Sequence, residues 1–530
     1  MKLPARAAGV LLHPTSLPGP HGMGDLGPSA YHFVNWLQGA GQSVWQWLPT
    51  TPPDGTGSPY QSPSAFAGSP LMVALEPLVE RGWLTDLALP EGGWPTGRAD
   101  FGAVGAWRLA ALRSAAAGFA TRATADEHAE LQRWAGTQRA WLDDYALFMA
   151  LDTLHAGAPW WHWSAALRCR DAAALAAARE QLAEEIAFWT FVQWCFDSQL
   201  AALKAYANAH GVALMGDLPI FVAHHSVDCW ARPELFYLDA QDQPTIVAGA
   251  PPDPLGPEGQ HWGNPLYRWD RMAAEGWAWW AARVQRMLQL ADAFRIDHFR
   301  GFAAYFEIPA DSPDARHGRW RRGPGRALFD ALSAALGPLP IVAEDLGLIT
   351  PDVHALRAAL GYPGMKVLQY AFGGDAEHDY LPHRYARGTA AYTGTHDTDT
   401  LVGWWRSALD HERRFAGTYL ACGAHDQQDG QGVQGVHWAA IRALCNSVAD
   451  LVVVPMQDVL GLDSAHRMNL PGTMGGHNWS WRFDWAMVGD APGRRLGLIT
   501  AASGRGNFKL LGLGLPPKSG PSSYGSPVVE

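Results

Sequence analysis

Eight short runs of apolar, often β-branched residues recur along the chain, and several of them lead directly into polar residues. The runs lie at residues 9–12, 44–48, 212–215, 294–296, 341–343, 365–368, 390–393 and 452–454. Helical patterns separate most of them, such as the apolar positions Tyr31, Val34 and Leu37 that precede Gly39. Strands that alternate with helices predict a parallel sheet. Eight such units predict an α/β fold, a (β/α)₈ TIM barrel whose active site lies at the carboxyl ends of the strands.

Two of the connections between these runs are too long for an ordinary barrel connection. Residues 71–186, after the second strand, are Ala-rich and predict a mostly helical inserted subdomain. Residues 222–275, after the third strand, are rich in Pro, Gly, Asp and Trp and predict an active-site loop insertion over the barrel mouth. Both insertions belong to a catalytic barrel of residues 1–505. The Pro, Gly and Ser content of residues 506–530 predicts a mobile tail.

Two helix ends carry recognisable capping signals. A long helical pattern through residues 187–206 is followed by His210 and Gly211, and glycine is the usual residue just after a helix. The pair Thr350-Pro351 predicts the start of another helix, with Thr350 as the N-cap and Pro351 in the first helical position.

The composition describes a soluble globular protein and excludes several classes of partner. Of the 530 residues, 48% are hydrophobic and 17% are charged, and the net charge is -11. Because the charged residues form no basic stripe, we expect no nucleic-acid partner. No run of about 18 apolar residues predicts a membrane span, so we expect no membrane partner. Residues 1–8 lack the apolar core of a signal peptide.

The five cysteines are odd in number, scattered and without CxxC spacing. This pattern favours a reducing cytoplasm over a disulfide framework or a zinc site. Tryptophan is unusually frequent, with 26 copies. Core packing explains any one of them, but Trp and Tyr faces also stack on the apolar faces of sugar rings. The composition therefore favours a carbohydrate ligand without establishing one, and it leaves the oligomeric state undetermined.

The stretch ADAFRIDHFRGF, residues 291–302, combines a strand core with a charged pair. Arg295 and Asp297 are two residues apart, which places both side chains on one face of a strand. A cation beside a carboxylate is costly to bury, and the cation would keep Asp297 ionised. A positioned, ionised carboxylate is the nucleophile that covalent glycosyl transfer requires. The alternative is a purely structural ion pair.

Four carboxylates follow predicted strands: Asp217, Asp297, Glu344 and Asp397. Each alone could be a turn residue, but a barrel would bring all four to one rim. Burial and neighbouring negative charge would keep Glu344 protonated, as a general acid/base requires. Asp397 could bind sugar hydroxyls and hold them more strongly as an oxocarbenium-like transition state forms. A zinc site at His396 and Asp397 is the alternative, but no further histidines stand at ligand spacing.

The chain resembles the amylomaltases, also called 4-α-glucanotransferases or disproportionating enzymes, of the α-amylase superfamily. The resemblance rests on GSPYQSPSAFAG (57–68), GDLPIFV (216–222), GQHWGNPLY (259–267), FRIDHFRG (294–301), VAEDLG (342–347), YTGTHD (392–397), MNLPGT (468–473) and NWSWR (478–482). These motifs run in the family's order from near residue 7 to near residue 505, and together they are highly specific.

The resemblance implies catalytic roles for three carboxylates. Asp297 is similar to the family's nucleophile, Glu344 to its acid/base and Asp397 to its transition-state stabiliser. The implied donors are α-1,4-glucans, namely maltooligosaccharides, starch or glycogen, and the implied acceptors are other glucans or glucose. The resemblance implies no cofactor, and the absence of an EF-hand loop or a His/Cys cluster leads us to expect no metal.

The same matches imply eight substrate-binding residues. Those that would bind the sugar at the cleavage point are Asp217, Arg295 and His396, and those that would form aromatic platforms are Tyr60 and Trp262. Gln260, Asn264 and Asn469 complete the set, with a turn or packing role as the alternative for each of them.

Three positions depart from the family's pattern. Ser69 and Thr398 stand where asparagine is usual, and the sequence DPLGP at residues 253–257 replaces a more typical Phe-Ser sequence. None of these positions is a proposed catalytic carboxylate, but the loop change puts the acceptor preference in question. Two alternatives to the transferase stay open: an α-1,4-glucan hydrolase of the same superfamily, and a carbohydrate-binding protein without catalysis, which would need the loss of a carboxylate.

Overall fold

A closed barrel of eight parallel strands forms the centre of the molecule. The computed structural model describes residues 3–252, 257–422 and 435–506. In chain order the described strands are β1 (Ala7–Leu11), β2 (Val44–Gln46), β3 (Ala213–Leu218), β4 (Ile246–Ala250), β5 (Gln260–Pro265), β6 (Ala293–Ile296), β7 (Ala304–Pro309), β8 (Arg319–Arg322), β9 (Ile341–Ala343), β10 (Gly364–Val367), β11 (Thr389–Tyr392) and β12 (Leu451–Pro455). The barrel order is β1-β12-β11-β10-β9-β6-β3-β2. The predicted (β/α)₈ barrel is confirmed, and each of the eight predicted runs overlaps one of its strands.

Helices surround the barrel and fill the long connections. In chain order they are α1 (Pro28–Gly39), α2 (Glu76–Glu80), α3 (Phe101–Arg122), α4 (Ala125–Leu154), α5 (Ala165–Arg168), α6 (Ala172–Gln181), α7 (Ala183–Ala209), α8 (Val227–Ala231), α9 (Trp269–Ala274), α10 (Ala278–Leu290), α11 (Arg326–Leu336), α12 (Pro351–Leu360), α13 (Leu401–Ser407), α14 (Asp410–Tyr419), α15 (Val436–Asn446), α16 (Met456–Val459), α17 (Trp485–Val488) and α18 (Ala491–Ala502). Within the described ranges, no helix is both long enough and apolar enough to cross a membrane.

The predicted capping signals mark real helix ends. Helix α7 ends at Ala209, and Gly211 follows with a φ of 75°, which glycine adopts without steric cost. Helix α12 begins at Pro351 as predicted, although the Thr350 side chain makes no capping hydrogen bond to the backbone. Barrel closure itself requires a glycine in β1, because a Cβ atom at Gly9 would lie 2.3 Å from the Val44 carbonyl oxygen of β2.

Of the two long connections, the second holds more regular structure than the sequence patterns indicate. Between β2 and β3 the chain forms helices α2 to α7. Strands β4 and β5, from the region expected to be loops, pair with β7 and β8 in an antiparallel sheet of order β5-β4-β7-β8. This sheet was not predicted, because β5 reads QHWGNP and β8 reads RWRR, and neither shows apolar alternation. The connection from β10 to β11 contains short 3₁₀ turns instead of an α-helix.

The division into a barrel with two inserted segments stays a prediction. Residues 253–256, which hold most of the departing loop sequence, and residues 507–530, which hold almost all of the predicted tail, lie outside the described residues.

Candidate active site

The carboxyl ends of the barrel strands open into a cleft of about 760 Å³. Asp297 follows β6 directly, Glu344 follows β9 directly, and Asp397 lies five residues beyond the end of β11. All three carboxylates line this cleft. The other predicted site residues that line it are Tyr60, Gln260, Trp262, Asn264, Arg295, His396 and Asn469. The strand order therefore brings together residues that are far apart in the sequence.

Asp217 is the predicted site residue that does not line the cleft. It lies in β3 opposite Arg295 in β6, and it is only 1% exposed. Both of its carboxylate oxygens accept hydrogen bonds from Arg295 Nη1 at 2.9 Å, and Oδ2 also accepts one from the Tyr60 hydroxyl at 2.8 Å. The structure therefore places Asp217 behind Arg295 and Tyr60, where it can position both. Direct sugar contact by Asp217 stays a prediction.

Arg295 joins two carboxylates on the cleft wall. While its Nη1 pairs with Asp217, its Nη2 donates to Asp297 Oδ1 at 2.8 Å. A guanidinium that is 4% exposed would be costly to bury alone, but two carboxylates compensate its charge. The Asp297 side chain is 29% exposed and lines the cleft. This geometry holds Asp297 in place while leaving part of its carboxylate exposed to the cleft.

Glu344 is the more enclosed of the two central carboxylates. It is 8% exposed, and each of its oxygens accepts one backbone N–H group, Oε2 from His298 at 2.7 Å and Oε1 from Leu346 at 2.8 Å. Burial raises the pKa of Glu344 to about 7, with the charge of Asp297 adding to the effect and Arg295 opposing it. The cleft thus contains two unlike carboxyl groups. Glu344 can carry a proton near neutral pH, whereas Asp297 accepts a hydrogen bond from Arg295.

Asp397 is held by two neighbouring side chains. His396 Nε2 lies 3.2 Å from Asp397 Oδ2, and Asn469 Nδ2 donates to Oδ1 at 2.7 Å. Withdrawal from bulk water acts to raise the pKa of Asp397, but the charge and hydrogen bond of His396, together with the Asn469 hydrogen bond, hold it well below its ordinary value. Burial likewise acts against the charged form of His396, and Asp397 outweighs it and raises the pKa of His396. Each member of the pair therefore stabilises the charged form of the other.

The two predicted aromatic platforms have different surroundings. The Tyr60 ring stacks on His396, with centroids 5.3 Å apart and planes 15° apart, so one of its faces is already covered. Trp262 in β5 is half-buried, and its indole N–H donates to Gln260 Oε1 at 2.9 Å. Trp262 also packs at right angles on His298, at a centroid distance of 4.9 Å. Both side chains are half-buried and line the cleft, so each leaves part of its ring for a ligand.

Asn264 makes contacts that favour its packing alternative. It is buried, and its Nδ2 donates to the Val222 carbonyl oxygen at 2.8 Å. Gln61, which sequence reasoning did not single out, donates to Asn264 Oδ1 at 3.2 Å and to the Trp262 carbonyl oxygen at 3.3 Å. These bonds fix the strand that carries Trp262 to the segment that carries Tyr60.

The side chains that line the cleft without having been predicted include His298, Tyr370 and Trp479. His298 has a φ of 51°, and this left-handed backbone aims its N–H group at Glu344. Its Nε2 atom is buried without a hydrogen-bond partner, and burial lowers the pKa of His298 to about 4. Its position directly after Asp297 in the sequence was the available signal.

Among the residues that the structure describes, one group of potential metal ligands lies outside the cleft. His21, Asp25 and Glu76 place ligand atoms within 4.8 Å of one another. Both oxygens of Asp25 already accept hydrogen bonds at 2.9 Å, Oδ2 from Arg108 and Oδ1 from the Gly27 N–H group. A nearby guanidinium opposes binding of a second cation. The expectation that no metal is bound stays a prediction.

Sequence comparison identifies a family over nearly the whole chain. A family model described as 4-alpha-glucanotransferase matches residues 12–487. The 4-alpha-glucanotransferase of Thermus thermophilus is 48% identical over 508 residues, which cover 95% of this chain and 100% of that protein. The Synechocystis sp. 4-alpha-glucanotransferase is 43% identical over 507 residues, with 95% and 99% covered. A Solanum tuberosum relative, named as chloroplastic/amyloplastic, is 41% identical, with 94% and 86% covered.

Solved structures agree with the sequence relatives. The amylomaltase from Streptococcus agalactiae, solved in complex with acarbose, matches with a TM-score of 0.89 at 34% identity, over 95% of this chain and 100% of that chain. The amylomaltase from Corynebacterium glutamicum, at 19% identity and a TM-score of 0.77, shares the fold over 94% of this chain and 75% of its own. The resemblance seen in the motifs is therefore confirmed, and the chain belongs to the 4-alpha-glucanotransferase family.

Proposed function

We propose that this chain transfers segments of α-1,4-glucan to another glucan or to glucose by a retaining double displacement. The observation that carries the proposal is the pair of unlike carboxyl groups in one cleft. Asp297 is held by Arg295 and open to the cleft, whereas Glu344 is buried with its pKa raised to about 7. Two such groups are what a retaining enzyme needs as nucleophile and acid/base. Family membership supports maltooligosaccharides, starch or glycogen as donors.

The proposed first step forms a covalent glucosyl-enzyme. An Asp297 oxygen attacks the anomeric carbon as the bond from that carbon to the glycosidic oxygen breaks. Glu344 gives its proton to the departing oxygen, so the leaving glucan ends in a free 4-hydroxyl group. In the second step, the 4-hydroxyl group of the acceptor loses its proton to Glu344 and attacks the same carbon, and the Asp297 carboxylate departs. Two inversions give net retention.

Asp397 and His396 are proposed to bind the sugar at the cleavage point. The carboxylate of Asp397 is kept ionised by His396 and oriented by Asn469. A fixed negative charge beside the sugar ring stabilises the positive charge that develops in an oxocarbenium-like transition state. Arg295 would orient the nucleophile Asp297, and Asp217 would hold Arg295 in place.

We expect the acid/base role of Glu344 to be visible in the pH profile. Glu344 must be protonated to assist departure, and rising pH removes that proton around its pKa of about 7. The kcat/KM for maltooligosaccharide donors should therefore fall about tenfold per pH unit on the alkaline side. A glucosyl fluoride donor needs no protonation of its leaving group, so the fall should be much weaker with it. If kcat/KM falls equally at alkaline pH with both donors, the fall is caused by the titration of a group other than the Glu344 acid, such as His396.

Product analysis separates transfer from hydrolysis. Incubated with maltotriose alone, the protein should produce a ladder of longer and shorter glucans, because the intermediate reacts with sugar hydroxyl groups more readily than with water. The support for this outcome is the aromatic surface that Trp262 and Phe221 contribute to the cleft, since apolar surface beside a reacting carbon disfavours water there. Glucose and maltose as the only products would establish the hydrolase alternative. No products at all would support the binding-protein alternative.

We also propose that residues 222–275 act as an active-site insertion and that the protein works in the cytoplasm. The insertion is supported by Gln260, Trp262 and Asn264, which all line the cleft. The cytoplasmic location is supported by Cys229 and Cys445, which are buried free thiols. Fractionation of the source cells followed by detection of the protein tests the location.

A further inference from the structure

The cleft has one exposed tryptophan among its described lining residues, Trp320, on the opposite edge of the sheet from the strand that carries Trp262. Trp320 lies in β8, is 37% exposed and lines the cleft. Strands β5 and β8 are the two edges of the sheet β5-β4-β7-β8, and three strand spacings of about 4.8 Å separate them by about 14 Å. Trp320 lies in the same row of paired residues as His261, which directly precedes Trp262. The pairs that form this row are His261–Gly249, Gly249–Phe306 and Phe306–Trp320. The backbones that carry the two tryptophans therefore lie farther apart than the length of one glucose unit.

Trp320 is held in one orientation although it is exposed. The Arg300 guanidinium lies over its ring, with Cζ 3.6 Å from the centroid, and the Phe306 ring meets it edge to face at 5.1 Å. Arg300 is itself 4% exposed, and it donates to the carbonyl oxygens of Ala304 and Leu348. A buried arginine fixed by backbone acceptors is a rigid support, so Trp320 loses little conformational freedom when a ligand binds.

The Trp320 ring lies beside ion-paired arginines and an exposed aliphatic side chain. Arg319 and Arg321, on either side of it in β8, both pair with Glu307 at 2.7 and 3.1 Å. Leu348, which is 62% exposed, also lines the cleft, and its carbonyl oxygen accepts a hydrogen bond from the Arg300 that lies over Trp320. A rigid aromatic face beside an exposed aliphatic side chain offers apolar contact to the C–H face of a glucose ring, while the sugar hydroxyl groups stay in water.

We propose that Trp320 forms an outer glucose-binding subsite that grips a glucan chain too long to be held by the residues around Asp297 alone. The proposal rests on the proposed function, since it assumes that α-1,4-glucan occupies the cleft. Because Trp320 stands about three strands away from Trp262, only a donor or acceptor of several glucose units reaches both. The subsite therefore contributes binding energy for long chains and little for short ones.

The test compares a long and a short donor in Trp320→Ala. With maltoheptaose, kcat/KM should fall about tenfold, as expected for loss of an aromatic contact, and with maltotriose it should fall less than about twofold. Trp320→Phe keeps a flat ring, so it should retain most of the difference in kcat/KM between maltoheptaose and maltotriose. Trp405→Ala removes a half-buried tryptophan of α13 that does not line the cleft, and it should leave both donors unchanged.

The outcomes separate this inference from the proposed function. Suppose that the wild-type protein forms a ladder of glucans from maltotriose. If Trp320→Ala then lowers kcat/KM equally for both donors, or for neither donor, the subsite is overturned and the proposed transferase function is not. If Trp320→Ala does not fold, Trp320→Leu makes the same comparison, because it keeps apolar packing against Phe306 and removes only the flat face. A length-dependent loss in either variant supports the subsite.

Discussion

Asp297→Asn is expected to abolish glucan transfer, with a fall of at least about 10⁴-fold in kcat. The neutral amide is a poor nucleophile, so no ester can form at the anomeric carbon. The amide oxygen can still accept the hydrogen bond that Arg295 Nη2 now donates at 2.8 Å. The side-chain volume is also nearly unchanged, so the fold should survive. The loss should be the same for maltooligosaccharides and for a glucosyl fluoride, because both donors require the nucleophile.

Intact-protein mass spectrometry after rapid quenching is the measurement that checks this. The variant should show no added glucosyl mass with either donor. Asp311→Asn makes the same chemical change at an exposed carboxylate that does not line the cleft, and it should keep wild-type activity. An Asp297→Asn protein that is folded and still accumulates a glucosyl adduct would show that another residue is the nucleophile.

The barrel was predictable because its strands are buried on both sides. Apolar runs such as residues 341–343 and 452–454 have no polar face, and such runs separated by helices have few alternatives to a parallel barrel. The sheet that contains β5 and β8 was not predictable in the same way. Its edge strands are stabilised by pairing with β4 and β7 instead of by an apolar pattern of their own, and β8 is exposed along its whole length.

The candidate site also contains residues that the sequence pattern could identify and residues whose positions it could not. Asp297 and Glu344 could be found because each follows an apolar run, so the chain order alone places them at one rim. Which polar residues face the ligand and which stand behind them is decided by contacts between distant segments. Asp217 lies behind Arg295 because Tyr60, from a remote loop, closes over it. No pattern within a single motif carries that information.

Glu344→Gln should slow transfer from maltooligosaccharides by about 10²–10⁴-fold while leaving formation of the glucosyl-enzyme from a glucosyl fluoride largely intact. Fluoride departs without a proton, so the first step loses little when the acid is removed. The second step still lacks a base to activate the incoming hydroxyl group. The ester on Asp297 should therefore accumulate, and peptide mapping by mass spectrometry should locate it there.

The same substitution also has a structural cost that must be measured alongside the kinetics. Both Glu344 oxygens accept backbone N–H groups, from His298 and Leu346. A glutamine NH₂ group would face one of these donors, which costs about 1–3 kcal/mol in the free energy of unfolding. Thermal unfolding should thus show a folded but less stable variant.

Azide provides the control that separates lost chemistry from lost structure in Glu344→Gln. As a small nucleophile that is already deprotonated, azide needs no base, so it should partly restore turnover of the glucosyl fluoride and yield a glucosyl azide of retained configuration. Structural damage to the cleft would leave the variant without rescue. A glucosyl label found on Glu344 in the wild-type protein would reverse the roles proposed for Asp297 and Glu344. A Glu344→Gln variant that shows neither an accumulated ester nor azide rescue would contradict the acid/base role of Glu344.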